Sequence, residues 1–230
     1  MVSNDAALEQ ISEQVVPQLG PGGVHLCMST VSPRIAARMQ QLHADRGTAY
    51  ISCPVFGRPP AAAARKLIAV AAGQREAFER VRPIIELTAQ KVVYAGENAA
   101  SSSALKLCGN YMILAVIQAE AEAFGLAESR GIDRSVAYDL LVGPEGVFTT
   151  LPIISSYGAM VASRNYPLGF TATNGLKDCN LVLDAAAEGG VEMPVAGIVR
   201  DRMAAVVASQ KDGEEKDWAA FADLVSVSKK

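Results

Sequence analysis

Histidine and cysteine are scarce in this chain: His25 and His43 are the only histidines, and Cys27, Cys53, Cys108 and Cys179 stand far apart with no C-x-x-C. No histidine combines with a cysteine at metal-ligand spacing, which argues against a zinc site or any other metal centre. Four dispersed thiols in mostly apolar surroundings read as reduced and packed, and point to a cytoplasmic setting. No cluster of Lys and Arg is present and the net charge is only −3, so nucleic acid is a poor partner. Met1–Gln18 is polar and amphipathic and has no apolar core of the signal-peptide kind. No uninterrupted apolar run approaches the ~18 residues that span a bilayer; the nearest candidate is broken by Lys106, Glu120 and Glu122. Internal repeats and low-complexity linkers are absent as well. What is present is 230 residues, 50% of them apolar, enough for one large or two small soluble domains with a sizeable core.

Asn4 or Ser3 can cap a helix over Asp5–Val16, where Ala7, Leu8, Ile11 and Val15 form an apolar stripe. Gly20-Pro21-Gly22-Gly23 follows, and Val24–Met28 reads as a short buried strand. Ser32-Pro33 combines a cap residue with proline at the first helical position and predicts a helix to Arg46. Ala49–Cys53 reads as a second strand, Pro54–Pro60 as a rigid turn, Ala61–Lys66 as a helical turn and Leu67–Ala72 as a third strand. Gln74–Ala89 is helical in pattern, with Pro83 expected to kink or divide it. Lys91–Tyr94 is a fourth strand. This alternation up to residue 95 signals an α/β unit. Beyond it the pattern is helical only: Asp133–Val142, Thr150–Ser163, Thr173–Glu188, Pro194–Ser209 and Asp217–Ser228.

The two halves are joined by Glu97–Arg130, a proline-free stretch rich in Ala, Leu, Glu, Gln and Lys, all strong helix formers. At 1.5 Å per residue it makes a rod on the order of 45 Å long. Its apolar character runs nearly all the way round between Tyr111 and Ile117, which predicts burial on most sides. Lys106 and Asn110, four residues apart, share one face of it. A cation and an amide on a mostly buried helix need partners, supplied either by the protein or by a ligand.

Four segments stand in order along the chain: Met28-Ser29-Thr30-Val31-Ser32-Pro33; Cys53-Pro54-Val55-Phe56-Gly57 with the apolar strand Leu67–Gly73; Gly96 with Lys106 and Asn110; and Phe170, Leu176, Lys177-Asp178 and Leu181, with Pro194 later. As a set, spanning almost the whole chain, they resemble the β-hydroxyacid dehydrogenase family, the group of 3-hydroxyisobutyrate and tartronate semialdehyde dehydrogenases. The resemblance implies a truncated Rossmann-type sheet in residues 1–95 and an all-α substrate and dimerisation domain in residues 96–230. It implies a small-molecule substrate, NAD or NADP as cofactor, hydride exchange between nicotinamide and a hydroxy acid or related carbonyl or imine compound, and a homodimer. Lys106 is then the general acid/base, since burial in general moves a lysine toward neutrality, where it exchanges protons. Asn110 holds substrate, Ser29 and Thr30 lie near the nicotinamide, and Lys177 reaches the cofactor or substrate.

Two departures from the family pattern matter. Where members read Asp-Ala-Pro-Val-Ser-Gly-Gly, this chain reads Ser52-Cys53-Pro54-Val55-Phe56-Gly57-Arg58. Phe56 puts an aromatic wall in place of a hydroxyl and Arg58 replaces a glycine, so Phe56, Gly57 and Arg58 line a pocket suited to a bulkier or more apolar compound, with Arg58 as an anion clamp. Imine reductases are relatives that generally lack the lysine, so Lys106 argues against that group. The second departure is the missing G-x-G-x-x-G turn, whose glycines admit the cofactor pyrophosphate. Gly20-Pro21-Gly22-Gly23 follows a helix and precedes a strand, the reverse order. Met1-Val2-Ser3-Asn4-Asp5 resembles the end of the family's fourth strand, so the first three strands are expected to be missing. Two origins are open: a truncated start of a complete enzyme, or a short chain that is a catalytically silent remnant serving dimerisation or ligand binding.

Overall fold

The computed structural model describes residues 1–148, 152–211 and 213–225. It divides into two compact units, Met1–Gly109 and Asn110–Lys230.

The first unit is α/β. Helix α1 (Asp5–Val15) is capped by Asn4, whose side chain accepts from the Ala7 N–H. Strand β1 (Val24–Cys27) lies parallel to β2 (Ala49–Ser52), with Leu26 opposite Ile51 and Cys27 opposite Ser52. Between them runs α2 (Pro33–Ala44), where Ser32 accepts from the Ile35 N–H and Pro33 occupies the first turn. That is the start its sequence predicts, because a capped amide and a preset φ remove two costs of helix initiation.

A two-residue strand, β3 (Val55–Phe56), replaces part of the turn expected over Pro54–Pro60 and pairs antiparallel with β4 (Leu67–Ala71). The short helix α3 (Pro59–Ala63) joins them. Strand β4 continues in parallel to β5 (Ala89–Tyr94) across α4 (Arg75–Glu86). Helix α4 is one element in spite of Pro83. The proline sits on the exposed face one turn from the end, so water can satisfy the carbonyl it frees. Two apolar clusters hold the unit: Ile51, Cys53, Ala69, Ala71, Phe78 and Ile85 under α4, and Leu8, Val31, Ile35, Met39 and Tyr50 under α1 and α2.

Helix α5 (Ala99–Ser129) begins in the first unit and ends in the second. By length and composition it is the one described helix able to cross a membrane. Its Leu114, Ile117, Ala121 and Phe124 nevertheless belong to the core of the second unit. Burial on most sides is not what the structure shows: Leu105, Met112 and Leu126 of α5 are exposed.

The second unit continues with α6 (Arg134–Leu141), α7 (Pro152–Ser163), α8 (Ala172–Glu188) and α9 (Pro194–Ala208). Of the helix expected over Thr150–Ser163, Thr150 and Leu151 lie outside the described residues. The last expected helix is a 3-10 segment, Trp218–Leu224, capped by Asp217; residues 226–228 of that expectation also lie outside. The only extended pairing among the described residues here is a bridge between Thr171 and Asp217. Leu114, Ile117, Phe124, Val161, Met203, Trp218 and Phe221 form the core. The Trp218 indole N–H donates to the Tyr157 hydroxyl at 3.1 Å, satisfying a polar atom that burial would otherwise strand.

Candidate active site

In the first unit Phe56 and Lys106 come together, and the end of β2 is tied to the start of α5. The Ser102 hydroxyl donates to the Ser52 carbonyl at 3.0 Å, and the Ser52 and Ser103 hydroxyls lie 3.3 Å apart. All three serines are buried, so the helix start is tied to the end of β2 by hydrogen bonds that water does not compete for. One turn beyond Ser102, the Lys106 side chain runs inward and is only 8% exposed. Its Nζ stands 4.1 Å from the centre of the Phe56 ring. An ammonium over a ring face is held by the ring quadrupole, more strongly when desolvated.

The ring reaches that position because β3 is fixed on β4, with Phe56 opposite Ile68 and the Val70 N–H donating to the Pro54 carbonyl at 3.0 Å. It also needs room on α5. A β-carbon at Gly109 would lie 2.5 Å from the Phe56 Cε1 and Cζ atoms. Glycine inside a helix costs about 1 kcal/mol relative to alanine, and the ring's approach is the packing reason for it here. Gly57 follows with φ of 135° and no room for a β-carbon beside Leu67. Arg58, half-buried, stands at the N-terminal cap position of α3.

Ser29 and Thr30 lie between β1 and α2. Ser29 is buried and its hydroxyl oxygen accepts from the Val2 N–H at 2.6 Å, which ties the chain start to this loop; Thr30 is half-buried. The carboxyl ends of β1 and β2 are paired side by side at Cys27 and Ser52. In open α/β sheets that edge, followed by a helix N-terminus, is where a dinucleotide rests. Met28 and Thr30 are half-buried beside that edge, and Ser32 caps the start of α2.

In the second unit Asn110, 2% exposed, donates from Nδ2 to the Asp178 Oδ2 at 2.6 Å. Asp178 is fully buried on α8 and its Oδ1 is 3.0 Å from the Lys177 Nζ. A buried carboxylate placed between an amide and an ammonium orients both. Sequence reading put Asp178 beside Lys177 but missed its bond to Asn110, 68 residues away. It also missed Ser102, Ser103 and Gly109. Their signals were a serine triplet at the helix start and a lone glycine in an otherwise strong helical run.

Burial sets the remaining chemistry. The Cys53 and Cys179 thiols are pushed up to about 12, first by desolvation, which makes them inert at neutral pH. Cys27 is buried too, but Cys108 is exposed, so the expectation of packed thiols holds for three of the four. Glu120, buried on α5 with no hydrogen-bond partner for either carboxyl oxygen among the described residues, is pushed up to about 8 by desolvation. It lines an apolar cleft of about 200 Å³ with Val116, Ala123, Leu141 and Phe148.

The chain is similar to known proteins along both units. A family model described as NAD-binding of NADP-dependent 3-hydroxyisobutyrate dehydrogenase matches residues 100–225, and one described as the NAD binding domain of 6-phosphogluconate dehydrogenase matches residues 1–96. A probable 3-hydroxyisobutyrate dehydrogenase of Mycobacterium tuberculosis is 30% identical over 92% of this chain and 73% of its own length. An NAD-dependent L-serine dehydrogenase of Pseudomonas aeruginosa is 28% identical over 80% of this chain and 63% of its own. The solved structure of Mycobacterium tuberculosis 3-hydroxyisobutyrate dehydrogenase with L-serine superimposes with a TM-score of 0.83 at 26% identity, covering 99% of this chain and 78% of that one. With its strand-end edge, its buried lysine and these matches along both units, the chain belongs to the β-hydroxyacid dehydrogenase family, as an NAD(P)-dependent oxidoreductase of the 3-hydroxyisobutyrate dehydrogenase type.

Proposed function

We propose that the substrate is a hydroxy acid, or the related carbonyl or imine compound, and that Lys106 is the general acid/base. The observation that carries this reading is an ammonium buried on α5, 4.1 Å from the centre of the Phe56 ring. A nicotinamide bound beside Ser29 and Thr30 would supply the hydride acceptor for the carbinol carbon, or the hydride donor for the reverse reaction. In the oxidative direction Lys106 Nζ takes the proton from the substrate hydroxyl, and in the reductive direction it gives that proton back. Its charge also steadies the oxygen while negative charge develops there. Asn110 has one amide N–H engaged by Asp178, and its remaining amide atoms hold substrate. Lys177, paired with the same carboxylate, meets the cofactor or substrate. Ser29 and Thr30 orient the nicotinamide end, with residues 1–95 as the partial cofactor domain and residues 96–230 as the substrate and dimerisation domain. Phe56, Gly57 and Arg58 form the substrate wall.

The chain acts in the cytoplasm as a homodimer in this reading. Large apolar side chains left exposed on the helical unit, Met112, Leu126, Leu140 and Val147 among them, support that assembly. Turnover tests the proposal: the purified chain is supplied with NAD⁺ or NADP⁺ and either 3-hydroxyisobutyrate or L-serine. Reduced nicotinamide accumulating at 340 nm with one of these pairs is expected. No turnover, together with no binding of reduced nicotinamide by fluorescence up to millimolar concentration, would contradict it and favour the silent remnant.

A further inference from the structure

We infer that Phe56, seated in the notch of α5 that Gly109 leaves open, is a positioning residue for Lys106. The inference rests on Lys106 as acid/base and adds a device to that site. Three features converge on it. The ring centre is 4.1 Å from the ammonium nitrogen. The ring edge lies where any side chain at Gly109 would have to go, with Cε1 and Cζ both 2.5 Å from a β-carbon built there. The segment that carries the ring is held by the pairing of β3 to β4 on one side, and on the other Gly57, at φ of 135°, lies against Leu67.

Lysine is a flexible four-carbon stem bearing a point charge, and a reaction that moves a proton needs that charge in one place. The hydroxyl expected at position 56 by family resemblance would hydrogen-bond a ligand; a phenyl ring cannot. What the ring face does instead is attract the ammonium, while its edge is keyed into the helix that carries the lysine. Phe56 therefore acts through Lys106, and Gly109 acts through Phe56.

Three measurements test this, and the first needs no turnover. With lysine labelled at 13Cε, the Lys106 ε-methylene is expected to show an upfield ring-current shift in the wild-type chain that disappears in Phe56→Leu and in Gly109→Ala. A Lys106 signal with no such shift in the wild type overturns the inference whatever the enzyme's activity. The second is a kinetic cycle with NADP⁺ or NAD⁺ and 3-hydroxyisobutyrate. Phe56→Leu and Gly109→Ala each lower kcat by about tenfold, and the double variant's kcat is no worse than that of Phe56→Leu alone. A multiplicative loss in the double variant, or a rise in KM at constant kcat, overturns it, the latter making Phe56 only a substrate wall. A fluorinated phenylalanine at position 56 keeps the ring's shape and weakens its π face. Its kcat is expected to fall between wild type and Phe56→Leu; a wild-type kcat would reduce the ring to a spacer and also overturn the assignment.

Discussion

The two units bury ionisable groups of opposite kind, and the contrast shows how one physical term yields opposite pH responses. In the α/β unit His43 is buried beside His25, with ring nitrogens 3.1 Å apart, and against the Thr48 hydroxyl at 3.0 Å and the Tyr50 ring. Desolvation first, and then the charge of His25, lowers it to about 4. In the helical unit Glu120 is raised to about 8 by desolvation. Both groups are kept neutral at their sites, the base by losing its proton and the acid by keeping it. The units differ also in how they hold the candidate site residues: Lys106 faces an aromatic ring, and Asn110 faces a carboxylate.

The strongest way to break this contrast is to remove the carboxylate. Asp178→Ala leaves the Asn110 amide and the Lys177 ammonium without the group that orients them, and is expected to destabilise the helical unit by about 3 kcal/mol. Trp218, the single tryptophan, lies in that unit's core and reports its urea midpoint by fluorescence. An unchanged midpoint would mean that Asp178 does not hold the second unit's site together.

The pH responses come next. For Glu120 the folded value lies above the unfolded one, so between about 4.5 and about 8 the folded state carries the extra proton. Stability of the helical unit therefore falls as pH rises through that window. Glu120→Gln is expected to flatten the Trp218 midpoint against pH. For His43 the folded value is depressed, so between about 4 and 6.5 the unfolded state carries the extra proton. Stability of the α/β unit rises with pH across that range, and His43→Gln flattens the slope of the urea midpoint read by circular dichroism. Slopes of equal sign in the two units would refute the comparison. The smallest effect is Ser102→Ala, which loses the donor to the Ser52 carbonyl and is expected to cost about 1 kcal/mol in the same denaturation experiment.

Much of the fold is legible where signals are local. Ser32-Pro33 starts α2, Asn4 caps α1, and the long proline-free run is α5, because caps and propensity act over a few residues. Strand β3 was hidden because two residues after a proline carry no periodicity; only the pairing of Phe56 with Ile68 makes them a strand. The α5 faces that stay exposed, Met112 and Leu126 among them, were not readable either, since an all-round apolar helix does not reveal which side is covered. At the site the residue types were legible: Lys106 and Asn110 share a face at helical spacing. Their partners were not, because Phe56 and Asp178 reach α5 through tertiary contacts that span 50 or more residues in each case.

The most direct test of Lys106 as acid/base pairs turnover with cofactor binding in Lys106→Ala. The account predicts that kcat for 3-hydroxyisobutyrate falls by about 10²- to 10⁴-fold, while fluorescence titration with reduced nicotinamide is unchanged from wild type. Turnover within about twofold of wild type would contradict the assignment of that lysine.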